Sequence, residues 1–402
     1  MKQIVFILTI FIVSNAYASS QLPCEIEYYF QQTDAYKSSV FDNEAKQLDL
    51  EREMLTLLPD INVSIGQQST NKSSFKGLND SSISLGLSQT VYNGGRYRIY
   101  KDKIAKDIEY NNLVIQDKRN RYLVDLYRSV IEYNYKADLH KLYVSQLNKQ
   151  TEQLDASLVR VTSGDIAKIE YDIIKLRKEE LQNEVDKIES EISQTELDIM
   201  TLFNIPPELI KKITSKEILS CKMVGTGYIL DKSRKLRQQN ENADYNLRMT
   251  SMRPNVSLSL HMRPPFNGTL SDVTTRKTEF VAGVNVTIPV SSFFSVNNIQ
   301  KDHAISINRI DDTYNEKDKL YMREKENVTS KLKNIKRNIE LTRKKIEIKG
   351  KEVDYVLSRF REKKDTIMSY YRQLDEYENE IINLKKDERE YEYYKTYINI
   401  LD

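Results

Sequence analysis

From Arg96 to Arg160 the chain runs without a single proline or glycine. Such a stretch can continue as one α-helix, and at 1.5 Å per residue it would be on the order of 95 Å long. Within it Leu123, Leu126, Val130, Tyr133 and Ala137 step by three and four. The same stepping joins Leu181, Val185, Ile188, Ile192, Thr195, Ile199 and Leu202. It returns at Val328, Leu332, Ile335, Ile339, Thr342 and Ile346, continuing to Val353, Val356 and Phe360, and again at Tyr370, Leu374, Tyr377, Ile381 and Leu384. An apolar repeat of 3.5 residues is the seam of laterally packed, supercoiled helices. A globular core does not need helices of this length, whereas a tube or a rod does.

The chain is also written twice. Laid over itself at an offset of about 197 residues, Leu22-Pro23-Cys24 meets Leu219-Ser220-Cys221, and Pro59-Asp60-Ile61-Asn62-Val63 meets Pro254-Asn255-Val256-Ser257-Leu258. Gln89–Tyr92 falls on Ile288-Pro289-Val290, and Arg160–Gly164 on Arg359–Lys363. Four matches in one order mark a duplication, with residues 19–210 as the first repeat and 211–402 as the second. Pro206-Pro207 and the segment to Lys222 form the joint.

Each repeat is expected to hold a short helix, two strands and then two very long helices. The strands alternate with period 2. Ile61, Val63 and Ile65 interleave with Asn62, Ser64 and Gly66; Ile83, Leu85, Leu87 and Val91 with Ser84, Gly86, Ser88 and Thr90. Val256, Leu258, Leu260 and Met262 alternate with Ser257, Ser259 and His261, and Phe280 to Val290 repeat the pattern. A half-buried strand of a soluble sandwich alternates in the same way. Length and context favour a membrane barrel, apolar residues to lipid and polar ones to the lumen. The polar segments 67–81 and 263–278 read as exposed loops. Four strands cannot close a barrel, because an open edge in hydrocarbon leaves backbone groups unpaired. Several copies must therefore share one: two would give eight strands and three would give twelve.

Lys2, the short apolar run Ile4–Val13 and Ala16-Tyr17-Ala18 read as a signal peptide over residues 1–18, cleaved before Ser19. The run is too short to cross about 30 Å of hydrocarbon. Export would place Cys24 and Cys221 where thiols oxidise. A disulfide between them competes with the expectation that equivalent positions around a wide tube lie far apart, and Cys24 has a further reading as a lipid acceptor.

Chemistry is absent from the motifs. Lys+Arg (61) and Asp+Glu (59) nearly cancel to +2, which leaves no whole-chain footprint for nucleic acid. His140, His261 and His303 are isolated from one another and from the cysteines, so no metal is expected. Gly94-Gly95 opens no phosphate loop. Neither catalysis nor a cofactor is expected.

The order of elements, duplicated, resembles the TolC family of outer-membrane efflux and secretion ducts. The most specific stretch is Leu85–Arg98, LGLSQTVYNGGRYR, similar to the family's strand-to-helix corner, with Pro289 at the equivalent corner of the second repeat. Thr162-Ser163-Gly164-Asp165 resembles the periplasmic tip. The resemblance implies an α+β fold in which each protomer gives four strands to a trimeric transmembrane barrel and long coiled-coil helices to a tunnel below it. It also implies an outer-membrane location in a Gram-negative bacterium, a homotrimer, a periplasmic adaptor and an inner-membrane transporter, ABC or proton-driven, for efflux or type I secretion. At the tunnel entrance it places an acidic residue on Glu170, an aromatic on Phe360 and an arginine position on Asp365, with Lys363 and Lys364 as substitute cations. Relatives' cation-selecting aspartates fall on Ser369 and Arg372. Two other readings remain: a periplasmic adaptor, which would have one helical hairpin beside a β domain, and a structural coiled-coil surface protein, which would not account for the strand pairs.

Overall fold

The computed structural model describes residues 24–66, 82–222, 224–263, 279–362 and 364–402. The expected signal segment 1–18, the connectors 67–81 and 264–278, and Lys363 lie outside the described residues. The elements come in the order α1 Glu25–Gln32, α2 Asp34–Leu55, β1 Asp60–Gly66, β2 Ser82–Asn93, α3 Arg96–Thr162 and α4 Lys168–Phe203. Two short helices follow, α5 Pro207–Ile210 and α6 Ser215–Ser220. The pattern then recurs as α7 Thr226–Thr250, β3 Asn255–Arg263, β4 Glu279–Thr287, a 3₁₀ turn Val290–Ser295, α8 Val296–Arg361 and α9 Ile367–Leu401.

The uninterrupted segment is one helix: α3 has 67 residues, and its mate α8 has 66. Two expectations need correction. The second helix of each pair is about half as long, 36 residues in α4 and 35 in α9. The leading helices are not short, since α2 has 22 residues and α7 has 25. The two differences have one cause. α3 packs on α4 and α9 along its lower half and on α2 and α7 along its upper half, so each partner needs to cover only half of it. α4 stops where Asn204 turns to φ 56° ahead of Pro206.

The core sits at the waist between these halves. Phe30 of α1, Leu123, Leu126 and Val130 of α3, and Ile199 at the end of α4 meet Ile205 of the link after α4 and Ile210 and Ile218 from the short helices, with Ile400 closing from α9. Here the seam departs from the expected register. Leu202 is 66% exposed, and Phe203 is the buried residue at 7%. Phe203 lies one four-residue step from Ile199, and it packs edge-on against Tyr122, whose hydroxyl donates to the Phe203 carbonyl at 2.8 Å. In α9 Ile382 is buried in place of the expected Ile381, a one-residue drift of the kind that straight 3.6-residue helices accumulate against a 3.5-residue repeat. Burial pushes the Tyr393 hydroxyl at this waist up to about 12.

The four strands form one antiparallel sheet in the order β1-β2-β3-β4. Register sorts the side chains into rows. Val63, Leu85, Met262 and Phe280 lie opposite one another, as do Ile61, Leu87, Leu260 and Ala282. The neighbouring rows on the other face are Asp60, Ser88, Ser259 and Gly283, and Asn62, Gly86, His261 and Val281. A bulge between Thr90 and Tyr92 keeps Tyr92 opposite Val256.

Cys24 and Cys221 are joined as a disulfide at the waist, with Cα atoms 5.2 Å apart. The expected separation of equivalent positions does not hold here, because both cysteines enter the waist core rather than the wall of a tube. Cys221 is 2% exposed, and the bond closes a loop of 197 residues. Cross-linking so long a loop limits the unfolded chain, so replacing Cys221 by Ser is expected to cost about 2–5 kcal/mol. Thermal unfolding should show a lowered midpoint, and thiol titration of unreduced wild type should find no free thiol.

Candidate functional site

Three places stand out from the packed helices: the sheet, the corners beneath it and the helix tips. The sheet is a wall with two unlike faces. Ile61 is 65% exposed and Val284 67%, and Val63, Leu258, Leu260, Phe280 and Val286 are exposed beside them. No described helix is long and apolar enough to cross a membrane. On the opposite face Gly86 leaves room for the His261 imidazole, since a Cβ there would stand 3.0 Å from Nδ1. Asn285 Nδ2 donates to Ser259 Oγ at 3.3 Å on the same face. Among the described residues β1 and β4 are each paired along one edge only.

The corners differ between repeats. After β2, Gly94 and Gly95 take φ 69° and 80°. Arg253 Nη1 donates to the Gly94 carbonyl at 2.9 Å, which docks the corner on the chain entering β3. Arg96 Nε reaches Glu53 Oε1 at 2.7 Å and ties the start of α3 to the end of α2. The second corner has no glycine. Pro289 precedes the 3₁₀ turn, where Ser292 N–H donates to the Pro289 carbonyl at 3.1 Å and Ser295 Oγ to the Ser292 carbonyl at 2.7 Å.

At the first tip α3 ends with Gly164 at φ 81°, and Asp165 N–H donates to the Arg160 carbonyl at 2.8 Å. Glu170 stands exposed in the first turn of α4 and is in no ion pair among the described residues. At the second tip Lys364 Nζ pairs with Glu362 Oε2 at 2.8 Å rather than with Glu170. The Thr366 backbone N–H, with the Ser369 side chain behind it, holds the Asp365 carboxyl below its usual range. Arg359 Nε lies 3.8 Å from Asp365, and Nη1 donates to the Tyr355 hydroxyl at 3.4 Å. Phe360 is half-buried beside them. Within one chain, then, Lys364 and Asp365 pair locally, while Glu170 is in no ion pair among the described residues.

The charges that do link the two hairpins lie higher up. Arg177 of α4 approaches Asp375 of α9 at 3.8 Å, and Lys149 of α3 pairs with Glu378. Burial pushes the Asp375 carboxyl up. A cavity of about 430 Å³ opens beside them, lined by Gln153, Leu176, Arg177, Met368, Tyr371 and Asp375. The seam under it is polar, with Gln146, Gln150, Gln153 and Ser157 buried at steps of three and four. Sequence reasoning missed this site because apolar periodicity stops at Ala137. The glutamine spacing was the available signal.

No protein-family profile and no curated protein matches the sequence. Solved structures match its fold. The outer membrane protein VceC of Vibrio cholerae aligns with TM-score 0.69 and 10% identity, over 94% of both chains. The outer membrane channel CmeC of Campylobacter jejuni gives 0.71 and 11%, over 93% of this chain and 83% of that one. The outer membrane channel MtrE of Neisseria gonorrhoeae, in its open state, gives 0.66 and 12%, over 94% and 88%. The chain therefore has the TolC-like fold of these channels: long helices joined to a four-stranded sheet.

The first corner gives a direct test. A Cβ at Gly94 would stand 2.9 Å from the Thr250 carbonyl oxygen on a backbone at positive φ, whereas one at Gly164 would meet nothing within 4 Å. Gly94→Ala is expected to destabilise the fold by about 1–3 kcal/mol and Gly164→Ala by about 1–2 kcal/mol. Denaturant unfolding of the two variants side by side should rank them in that order.

Proposed function

We propose that this chain is one protomer of a TolC-type outer-membrane exit channel of a Gram-negative bacterium. Three copies close a twelve-stranded barrel in the membrane over a tunnel of helices in the periplasm. The observation that carries this reading is the sheet: four strands, one face of exposed aliphatic rows, the other small and polar, and both edges open. Hydrocarbon tolerates such a sheet only if its edges pair. Strands β1 to β4 alternate in direction, so β4 of one copy meets β1 of the next antiparallel, as in bacterial barrels.

On this reading the chain is exported, residues 1–18 are removed, and the tunnel receives its cargo from a periplasmic adaptor and an inner-membrane transporter. The duct performs no chemistry. Its helices line a water-filled path, and control rests at the tips. There Glu170, which is in no ion pair among the described residues, faces Lys363 or Lys364 across the entrance and holds it closed. An exposed pair contributes about 0–1 kcal/mol, so closure depends on repetition around the ring. The fold itself argues against the adaptor reading, because two helical hairpins and a cross-repeat sheet replace one hairpin and a separate β domain.

The protein is expected in the carbonate-resistant, detergent-extractable membrane fraction and should conduct in planar lipid bilayers. Glu170→Lys should raise single-channel conductance. A carbonate-soluble protein without channel activity would contradict the reading, and unchanged conductance in stable Glu170→Lys assemblies would contradict the gate alone.

A further inference from the structure

Above the waist α7 packs on both α3 and α8. A cavity of about 490 Å³ opens where the three meet, and its walls carry Lys103, Arg237, Arg309 and Lys317 against Asp107, Glu241 and Asp244. The helices bring part of this set to one height. Tyr110 lies about 14 residues below the start of α3, Arg237 about 13 before the end of α7 and Arg309 about 13 below the start of α8, on the order of 20 Å from the sheet in each case.

The acids do not serve the cations at that height. Asp244 takes Lys103 at 2.6 Å, and Asp107 Oδ1 accepts from Asn240 Nδ2 at 2.7 Å. Glu241 faces Arg248 at 3.8 Å and His303 at 3.7 Å. All three acids stand about a turn or more nearer the sheet than Tyr110 and Arg237. On α8, Asp311 falls between Arg309 and Lys317 in sequence, but Arg234 and Gln238 hold it at 3.1 Å and 2.8 Å. Among the described residues Arg237, Arg309 and Lys317 are in no ion pair. These cations share one cavity, and the carboxylates around them are engaged elsewhere.

Two of the three cations are seated on rings. The Arg237 guanidinium lies over Tyr110 at 4.2 Å from the ring centroid, and Lys317 Nζ over Tyr314 at 4.8 Å. A guanidinium stacked in this way keeps its N–H edge free to fork onto an oxyanion. Tyr314 is buried, which fixes the floor, and Ser306 adds a hydroxyl to the α8 wall. The Tyr110 hydroxyl responds to the local charge: burial raises it, yet the Arg237 hydrogen bond and charge outweigh burial and bring it below its usual range.

We propose that this cavity binds a small multivalent oxyanion, phosphate or diphosphate, held by Arg237 from α7 and by Arg309 and Lys317 from α8. A chloride ion would leave most of the positive charge unmatched, whereas a diphosphate presents several oxygens to all three side chains at once. The ligand bridges α7 and α8, so binding stabilises the upper half of the protomer. The site lies within one chain and stands apart from the channel reading.

The test is isothermal titration of the purified full chain with phosphate and with diphosphate, against chloride at a matched ionic strength of about 0.15 M. Wild type is expected to bind diphosphate more tightly than phosphate and to unfold at a higher temperature in its presence. Arg309→Gln with Lys317→Gln should weaken diphosphate binding about tenfold or more. Both side chains are exposed, so the fold should survive the change. Arg309→Lys with Lys317→Arg keeps the charge and should keep most of the binding. Lys331→Gln with Lys344→Gln removes exposed cations elsewhere on α8 and should leave binding unchanged. Wild type that binds diphosphate no better than chloride overturns the site. Equal loss in the two glutamine variants also overturns it, because that result marks an adventitious ion only.

Discussion

Every backbone amide at the edge of a sheet needs a partner, and hydrocarbon supplies none; each one left unpaired there costs several kcal/mol. Among the described residues this chain has a sheet whose outer strands, β1 and β4, are each paired on one side only, and whose aliphatic rows are exposed. In water those rows would be a hazard, because exposed edge strands and apolar patches recruit one another. In a shared barrel both problems have one solution. The long helices and the duplication both fit a molecule completed by copies of itself.

The duplication has a structural counterpart in how the waist is built. The first repeat enters through α1 and closes with α5, the second enters through α6, and all three converge on the middle of α3. The Cys24–Cys221 bond joins these two entries. Arg119 of α3 reaches Glu27 of α1 at 2.5 Å in the same region, where burial lowers the affinity of the guanidinium for its proton. Above and below this core the helices carry few large buried side chains, and their outer faces wait for neighbours. One chain therefore has a single well-packed centre and two long arms, which suits a part of a tube.

The long helix was legible because nothing between Arg96 and Arg160 can break it, and the strands because period-2 alternation survived in all four. The lengths of α4 and α9 were not legible. Where they stop depends on α2 and α7 occupying the other half of α3 and α8, a tertiary fact that leaves no mark on local periodicity. The expected Leu202 position failed for a related reason: the seam ends against Tyr122, and the Phe203 ring that packs edge-on there takes the buried position. The lower seam of α3 escaped notice because it is made of glutamines rather than leucines. The tip residues were placed by resemblance, and in a single chain Lys364 and Asp365 find partners beside them, so any contact across the entrance belongs to the assembly.

The claim that most of this depends on is the number of chains that share one barrel. Multi-angle light scattering of the detergent-extracted protein, with the detergent contribution subtracted, measures that number directly. The account predicts three copies in each particle. One copy, or a stable pair, would contradict it.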